Sequence, residues 1–211
     1  MLYVVDDEMS VKGALQWVAG MRNIDCIVCS SGIELLGHLN IPLHEEDGQA
    51  GNERPSQVRF DPRGDCIILD IRMPGGSGLE IFDLLIKKKL GRRLPVIFIT
   101  GHGDLGCAVD VIKRGAFDFF EKPFDDSALI RKATLAIEMS RKEAEHAKLQ
   151  QRFTSLTTRE REILGLILVG KMNKVIADLL GISMRTVEVH RANILDKMAV
   201  KTAMELAAVL R

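Results

Sequence analysis

Five short runs of apolar, β-forming residues recur in the first part of the chain, and they constrain its fold more than any other feature. Almost every position within a run is apolar, which is typical of strands covered on both faces of a sheet. A segment with helical periodicity follows each run, and this alternation predicts a doubly wound, parallel α/β sheet. The runs are LYVV (2–5), IDCIVC (24–29), CIILD (66–70), PVIFIT (95–100) and FDFF (117–120).

Chemically active residues stand at the carboxyl ends of four of these runs. Asp6 and Asp7 follow the first run, Asp70 ends the third, Thr100 ends the fourth, and Lys122 comes just after the fifth. An Asp is also common where a strand turns, so Asp70 alone is ambiguous. Parallel strands, however, bring their carboxyl ends to one edge, where open α/β sheets bind ligands. The pattern therefore predicts one site with three carboxylates, a hydroxyl and an ammonium.

The chemistry of such a site follows from its charges. Grouped carboxylates repel one another, so they favour a bound cation, and oxygen ligands suit Mg²⁺ or Mn²⁺. Beside such an ion the Asp70 carboxylate can accept a phosphoryl group. Lys122 and Thr100 would then contact the phosphoryl oxygens. Because the sequence has no Walker-type loop or nucleotide fingerprint, the phosphoryl group is expected to come from another molecule.

Charge and periodicity divide the chain into parts. Residues 1–126 carry 20 acidic and 14 basic side chains, whereas residues 156–211 carry 6 acidic and 9 basic ones. We predict an α/β domain over 1–125, a linker helix over 126–155, and a mildly basic helical domain over 156–211 that can approach a polyanion. Weak self-association through the linker helix is an open alternative to simple solvation.

The sequence indicates neither a membrane partner nor secretion. No window has the ~18 uninterrupted apolar residues that a membrane span needs. Asp6 and Asp7 come too early for the apolar core of a signal peptide. A cytoplasmic protein is expected, and its four cysteines are then reduced structural thiols, since the CxxC at Cys26 and Cys29 has no second Cys/His pair at metal-site spacing.

Residues 40–65 interrupt the alternation of strands and helices. This segment is rich in Gly, Pro and charge and has no sustained period. Loops of this length are uncommon inside compact domains. We predict a flexible surface insertion that phosphoryl transfer does not need; a dedicated binding element is the alternative.

The C-terminal part predicts four helices. LTTRERE (156–162) can form a capping box at the start of the first helix. The second helix stops at Gly181, and Ser183 caps a third that runs from about 184 to 198. Four helices with a Gly-containing turn between the second and third predict a helix-turn-helix.

The third of these helices has the size and charge to enter a DNA groove. Arg185, Glu188, Val189 and Ala192 fall on one face at helical spacing and would read base edges. Glu188 has two alternatives, as a solvated residue of the helix face or as the ion-pair partner of Arg185 or Arg191. A tail that binds no DNA is the other alternative. Candidates for phosphate contacts or helix support are Lys171, Lys174, Thr186, His190, Arg191 and Lys197.

The motifs together resemble a known family. VVDDE (4–8), ILDIRMPGGSGLE (68–80), FITGHGD (98–104) and GAFDFFEKPF (115–124) resemble a CheY-like response-regulator receiver domain. Residues 156–198 resemble the LuxR/NarL-type helix-turn-helix, and the combination is most similar to FixJ-type regulators. The resemblance implies a flavodoxin-like five-stranded sheet, a linker helix and a four-helix DNA-binding domain. It implies a transcriptional regulator of a two-component system.

The resemblance also implies roles for individual residues. Asp70 would be the phosphoacceptor. Asp7 would bind Mg²⁺ directly, Asp6 through water or by shaping the pocket, and the Arg72 carbonyl would complete the protein ligands. Thr100 and Lys122 would be the switch hydroxyl and the phosphoryl-contacting amine, Phe119 would be the switch aromatic or else plain core, and the Lys122–Pro123 bond would be cis.

The implied partners are a sensor histidine kinase, a double-stranded DNA operator, RNA polymerase and, on phosphorylation, a second copy of the chain.

A phosphatase or mutase with an Asp nucleophile is the competing class of protein. Such an enzyme needs a general acid close to the nucleophile and a substrate-binding cap. Here Asp70 is followed by Ile71 and Arg72, without a second Asp two residues on. The C-terminal helices also make a poor cap, so a regulator that is not an enzyme is favoured.

Overall fold

The computed structural model describes residues 1–43, 58–74, 76–101 and 105–210, which form two compact units, Met1–Ala144 and Glu145–Arg211. The strands are β1 (Leu2–Val5), β2 (Cys26–Cys29), β3 (Cys66–Asp70), β4 (Arg72–Met73), β5 (Gly76–Ser77), β6 (Val96–Thr100) and β7 (Asp118–Glu121). The helices are α1 (Met9–Gly20), α2 (Gly32–Leu39), α3 (Gly78–Lys87), α4 (Leu105–Lys113), α5 (Asp126–Thr154), α6 (Thr158–Leu168), α7 (Asn173–Leu180), α8 (Met184–Met198) and α9 (Ala203–Val209).

Five strands of the first unit form one parallel sheet in the order β2-β1-β3-β6-β7. Every residue of the central strands β3 and β6 is buried, as expected from their continuous apolar sequences. The predicted doubly wound, five-stranded α/β fold is therefore confirmed.

Side chains alternate between the two faces of this sheet, and each face has its own core. Tyr3 and Val5 of β1 pack on the face covered by α2, α3 and α4. Leu2 and Val4 pack on the opposite face, against α1 and α5. The carboxyl ends of the strands stay open between these helical layers, and this is the edge where ligands bind in such folds.

A short ribbon after β3 was not predicted. The two-residue strands β4 and β5 pair antiparallel, Arg72 with Ser77 and Met73 with Gly76. Strands of two residues carry no usable periodicity, so only their turn residues were visible in the sequence. Ser77 then caps α3 in a reciprocal capping box with Glu80.

The surface insertion predicted at 40–65 stays a prediction, but its described ends pack against the core. Ile41 is buried, and Val58 and Phe60 pack against the core beside α2 and α3. The Arg59 amide donates to the Leu39 carbonyl at 2.9 Å, which joins the two ends. These apolar residues return the chain to the core, so only residues 44–57, which lie outside the described part, remain as a candidate excursion.

A buried polar cluster ties the last residues before β3 to α5. The Asp65 amide donates to Ser140 Oγ at 3.0 Å, and that hydroxyl donates to the Arg93 carbonyl at 2.6 Å. Asp65 Oδ2 accepts from the Asp61 amide at 2.9 Å, while Asp65 Oδ1 has no hydrogen-bond partner within the described residues. Burial raises the pKa of Asp65 to about 6.

The second unit is built around an apolar core shared by α6, α7, α8 and α9. The predicted capping box is present, with Thr157 as the N-cap and Glu160 as its partner. Gly181 ends α7 in a left-handed conformation, φ 62°, and Ser183 caps α8 by accepting from the Thr186 amide. A four-helix unit with the helix-turn-helix arrangement of α7 and α8 is therefore confirmed.

The predicted domain limits at 125 and 155 stay predictions. The compact units divide at residue 144, inside the single helix α5, which continues for 29 residues. Among the described residues, no helix combines the length and apolar character that crossing a membrane requires.

Candidate functional site

The strand ends of the first unit bring an ammonium between buried carboxylates. Lys122 follows β7, and its Nζ lies 2.8 Å from Asp6 Oδ2 after β1 and 2.8 Å from Asp70 Oδ2 at the end of β3. Asp6 is 0% and Asp70 4% exposed. We call Asp6, Asp7, Asp70 and Lys122 the acid pocket.

The three acids of this pocket lie close enough to share a cation. One carboxylate oxygen from each of Asp6, Asp7 and Asp70 lies within 4.8 Å of the others. Two of the acids are also held by backbone amides, since Glu8 donates to Asp6 Oδ1 at 2.7 Å and Arg72 donates to Asp70 Oδ1 at 3.1 Å. These oxygens retain a second lone pair, and the acids outnumber the single ammonium. The donor set therefore fits Mg²⁺ or Mn²⁺.

The acid pocket favours the protonated, charged form of Lys122. Burial opposes the charged ammonium of Lys122, but hydrogen bonds to Asp6, Asp70 and Glu8 outweigh it, so the pKa of Lys122 is raised. For Asp6 the effect of burial is larger than that of the hydrogen bond from Lys122. The pKa of Asp6 is therefore raised as well. The neighbouring Asp70 charge adds to the effect of burial on Asp6.

Two residues that position the pocket were not singled out from the sequence. Glu8 accepts from Lys122 Nζ at 2.8 Å, and the acidic triplet DDE was the available signal. A Cβ placed on Gly78 would lie 2.2 Å from the Asp70 carbonyl oxygen. Only a glycine lets the start of α3 approach the phosphoacceptor candidate so closely, and the PGGSG turn sequence gave no indication of which glycine this would be.

The remaining residues with expected receiver roles lie at the same edge. Thr100 is buried at the end of β6, and its carbonyl accepts from the Lys122 amide at 2.7 Å. Phe119 is half-buried opposite Phe98 and packs against the core, so its two interpretations both stay open. Arg72 is exposed on β4. The Lys122–Pro123 bond is cis, as expected.

On α8, the predicted base-reading face is exposed. Arg185, Glu188, Val189 and Ala192 all reach solvent, whereas the opposite side of α8 packs into the core. Arg185 Nη1 lies 3.8 Å from Glu188 Oε2, which corresponds to the ion-pair alternative. Both side chains are exposed, so this pair is weak and leaves the two groups available.

The predicted phosphate-contacting residues differ in their surroundings. Lys171 and Lys174 are exposed. Lys197 Nζ instead lies 2.7 Å from the buried Glu160 Oε2, which matches the helix-support alternative for this residue. Burial opposes ionisation of Glu160, but hydrogen bonds from Lys197 and Thr157 outweigh it and lower its pKa. The Thr186 hydroxyl is hydrogen-bonded to that of Ser183, and Arg191 is half-buried. His190 Nδ1 is buried without a hydrogen-bond partner among the described residues.

Comparison with known proteins identifies the family of a chain with these two units. Residues 46–134 match the family model described as response regulator receiver domain, and residues 154–210 match that of bacterial regulatory proteins of the luxR family. The transcriptional regulatory protein FixJ of Azorhizobium caulinodans is 38% identical over 209 residues, which cover 97% of this chain and 89% of that protein. The chain belongs to the response regulators of the FixJ type.

Other regulators support the same assignment of this FixJ-type chain. The C4-dicarboxylate transport transcriptional regulatory protein DctR of Rhodobacter capsulatus is 38% identical over 98% of this chain and 96% of its own length. The solved structure of the response regulator StyR aligns with a TM-score of 0.65 and 34% identity, over 99% of this chain and 96% of StyR. The family combines a receiver with a LuxR-type DNA-binding domain and acts in transcription, so the expectation of a regulator that is not an enzyme is confirmed.

Proposed function

We propose that this response regulator accepts a phosphoryl group on Asp70 from the phosphohistidine of a sensor kinase. An Asp70 carboxylate oxygen would attack phosphorus, the P–N bond would break, and the imidazole nitrogen would keep the electron pair and take up a proton. The observation that carries the proposal is the contact of Lys122 with Asp70 at 2.8 Å, at the edge where the strands end. An ammonium at that position can bind a phosphoryl oxygen carried by the same carboxylate.

We propose Asp6, Asp7, Asp70 and the Arg72 carbonyl as the protein ligands of Mg²⁺ or Mn²⁺. When bound, the ion would neutralise charge on the phosphoryl oxygens. The chain's own contribution is orientation. The Arg72 amide holds one oxygen of Asp70 and Lys122 the other, which fixes the plane of the carboxylate.

The proposed output is dimerisation followed by operator binding. New phosphoryl oxygens would draw the Thr100 hydroxyl inward and allow Phe119 to rotate beside β6. The face formed by residues 105–135 would then pair with that of a second copy. Two linked α8 helices would occupy two half-sites of an operator, since pairing raises the effective concentration of the second helix at its half-site. The bound dimer would then recruit RNA polymerase.

Phosphorylation of the full chain by a small phosphodonor with Mg²⁺ tests the acceptor. Asp70→Asn should abolish incorporation of phosphate, because the amide cannot form the acyl phosphate. The exposed Asp178→Asn in α7 is the matched control and should be labelled at the wild-type rate. Labelling of Asp70→Asn at that rate would contradict the proposed acceptor.

Sedimentation and DNA binding test the output separately. With a phosphate mimic, the wild-type chain should become dimeric and bind DNA selected from a random library more tightly. Arg185→Ala should weaken binding to the selected sequence by about 1–3 kcal/mol while leaving dimerisation unchanged. A phosphorylated chain that stays monomeric and binds DNA no better than the unmodified chain would refute the switch.

A further inference from the structure

A second group of metal-ligating side chains lies outside the acid pocket. Cys29 Sγ, a carboxylate oxygen of Glu34 and a ring nitrogen of His38 all lie within 4.8 Å of one another. Cys29 ends β2, and the other two residues are four positions apart on α2, so they share one face of that helix. The group therefore joins one strand and one helix.

The donor atoms of this group differ from those of the acid pocket. A thiolate, an imidazole and a carboxylate are the ligands that zinc takes in proteins, whereas three carboxylates suit Mg²⁺. Three protein ligands leave a fourth tetrahedral position for water. The chain thus presents two sites of distinct chemistry.

Hydrogen bonds already orient the Glu34 ligand. The Ser30 amide donates to Glu34 Oε2 at 2.7 Å, and the Glu34 amide donates to Ser31 Oγ at 3.3 Å as the N-cap contact of α2. Contacts of this kind fix a ligand before the metal arrives. Within the part of the chain that the structure describes, Glu34 Oε1 then remains for an ion.

The three candidate ligands differ in their exposure to solvent. Cys29 is 0% exposed, whereas Glu34 and His38 are exposed, so an ion would approach the sulfur from the side of these two residues. Burial raises the pKa of the Cys29 thiol to about 12, and the Glu34 charge adds to this effect while that of Lys12 opposes it.

We propose that Cys29, Glu34 and His38 bind Zn²⁺, with water as the fourth ligand. Binding forms a zinc–sulfur bond and releases the thiol proton to solvent, with no change of oxidation state. The ion would connect α2 to the end of β2, an edge strand of the sheet. The proposal is independent of phosphoryl transfer at Asp70.

Titration of the full chain with Co²⁺ in excess Mg²⁺ tests the site. Magnesium occupies the oxygen ligands of the acid pocket, and only a thiolate ligand gives a sulfur-to-cobalt charge-transfer band. The wild-type chain should show this band with one equivalent, and Zn²⁺ should displace it. Cys26→Ser is the matched control, because Cys26 packs on the opposite face of the sheet and should leave the band intact.

Two variants decide the assignment. Cys29→Ser should abolish the band, and His38→Gln, which alters an exposed helix position, should weaken Zn²⁺ binding at least about tenfold without unfolding the chain. The proposal is overturned if the wild-type chain gives no sulfur-to-cobalt band. It is also overturned if His38→Gln, folded by circular dichroism, binds Zn²⁺ as tightly as the wild type.

Discussion

Replacing Gly78 by Ala should damage phosphoryl transfer through the backbone of Asp70. The added Cβ would lie 2.2 Å from the Asp70 carbonyl oxygen and 3.0 Å from Leu69 Cγ. Ordinary contact begins at 3.4 Å, so the oxygen and the methyl group must separate by about 1 Å. The obstacle is backbone, which no rotamer change relieves.

The displacement has two measurable costs. Overpacking of this kind destabilises a folded protein by about 1–3 kcal/mol. A shift of about 1 Å at a reacting group can lower a rate by on the order of 100-fold. The assay is the rate constant for labelling of the full chain by a small phosphodonor at saturating Mg²⁺, with thermal melting measured in parallel.

Gly76→Ala is the matched control from the same turn. Its Cβ would lie 3.8 Å from Glu80 Oε2, an ordinary contact, so labelling and melting should stay close to wild type. If Gly78→Ala is folded and is labelled within about threefold of the wild type, the close approach does not position the phosphoacceptor and the reasoning is refuted.

Three further predictions concern stability. Because the folded state raises the pKa of Asp65 from 3.8 to about 6, ionisation of Asp65 should cost the wild-type chain about 2 kcal/mol of stability as pH rises from 4 to 7, and Asp65→Asn should lack this contribution. Unfolding in denaturant followed by Trp17 fluorescence checks it, and a pH-independent difference in stability between the two proteins would contradict it. Gly64→Ala should cost about 2–4 kcal/mol, because φ is +96° and the Cβ would lie 2.1 Å from the Ile137 carbonyl. Gly115→Ala has a similar φ of +103° but open space around its Cβ, so it should destabilise the chain less than Gly64→Ala. Equal shifts in melting temperature for the two variants would exclude the clash as the cause. Glu160→Gln should lower the stability of the second unit by about 1–2 kcal/mol, since Lys197 loses its charged partner, and an unchanged melt would refute this.

The fold was predictable because its signals are local and repeated. Continuous apolar runs such as CIILD determine buried parallel strands, and the acids after them then meet at one edge by topology alone. The same holds for Ser183 and Gly181, whose capping and left-handed conformations follow from residue type. These elements need no knowledge of distant contacts.

What could not be predicted depends on long-range packing. The Ser140 hydroxyl bridges Asp65 and Arg93, and no local pattern joins positions so far apart in sequence. Phe60 looked like a loop residue because its neighbours are polar, yet it lies against the core with the Arg93 guanidinium 4.4 Å above its ring. The Cys29 group is invisible in the sequence for the same reason, since only folding brings its thiol beside Glu34 and His38 on α2.

The bond between the Arg59 amide and the Leu39 carbonyl has a consequence for how this chain can change in evolution. It joins the described segments on either side of residues 44–57, with a nitrogen-to-oxygen distance of 2.9 Å. Each doubling of the length of chain between two joined points costs only about 0.6 kcal/mol in closure entropy. A change in the length of the chain between residues 43 and 58 should therefore cost little closure entropy, and a reporter domain can be inserted there for the same reason.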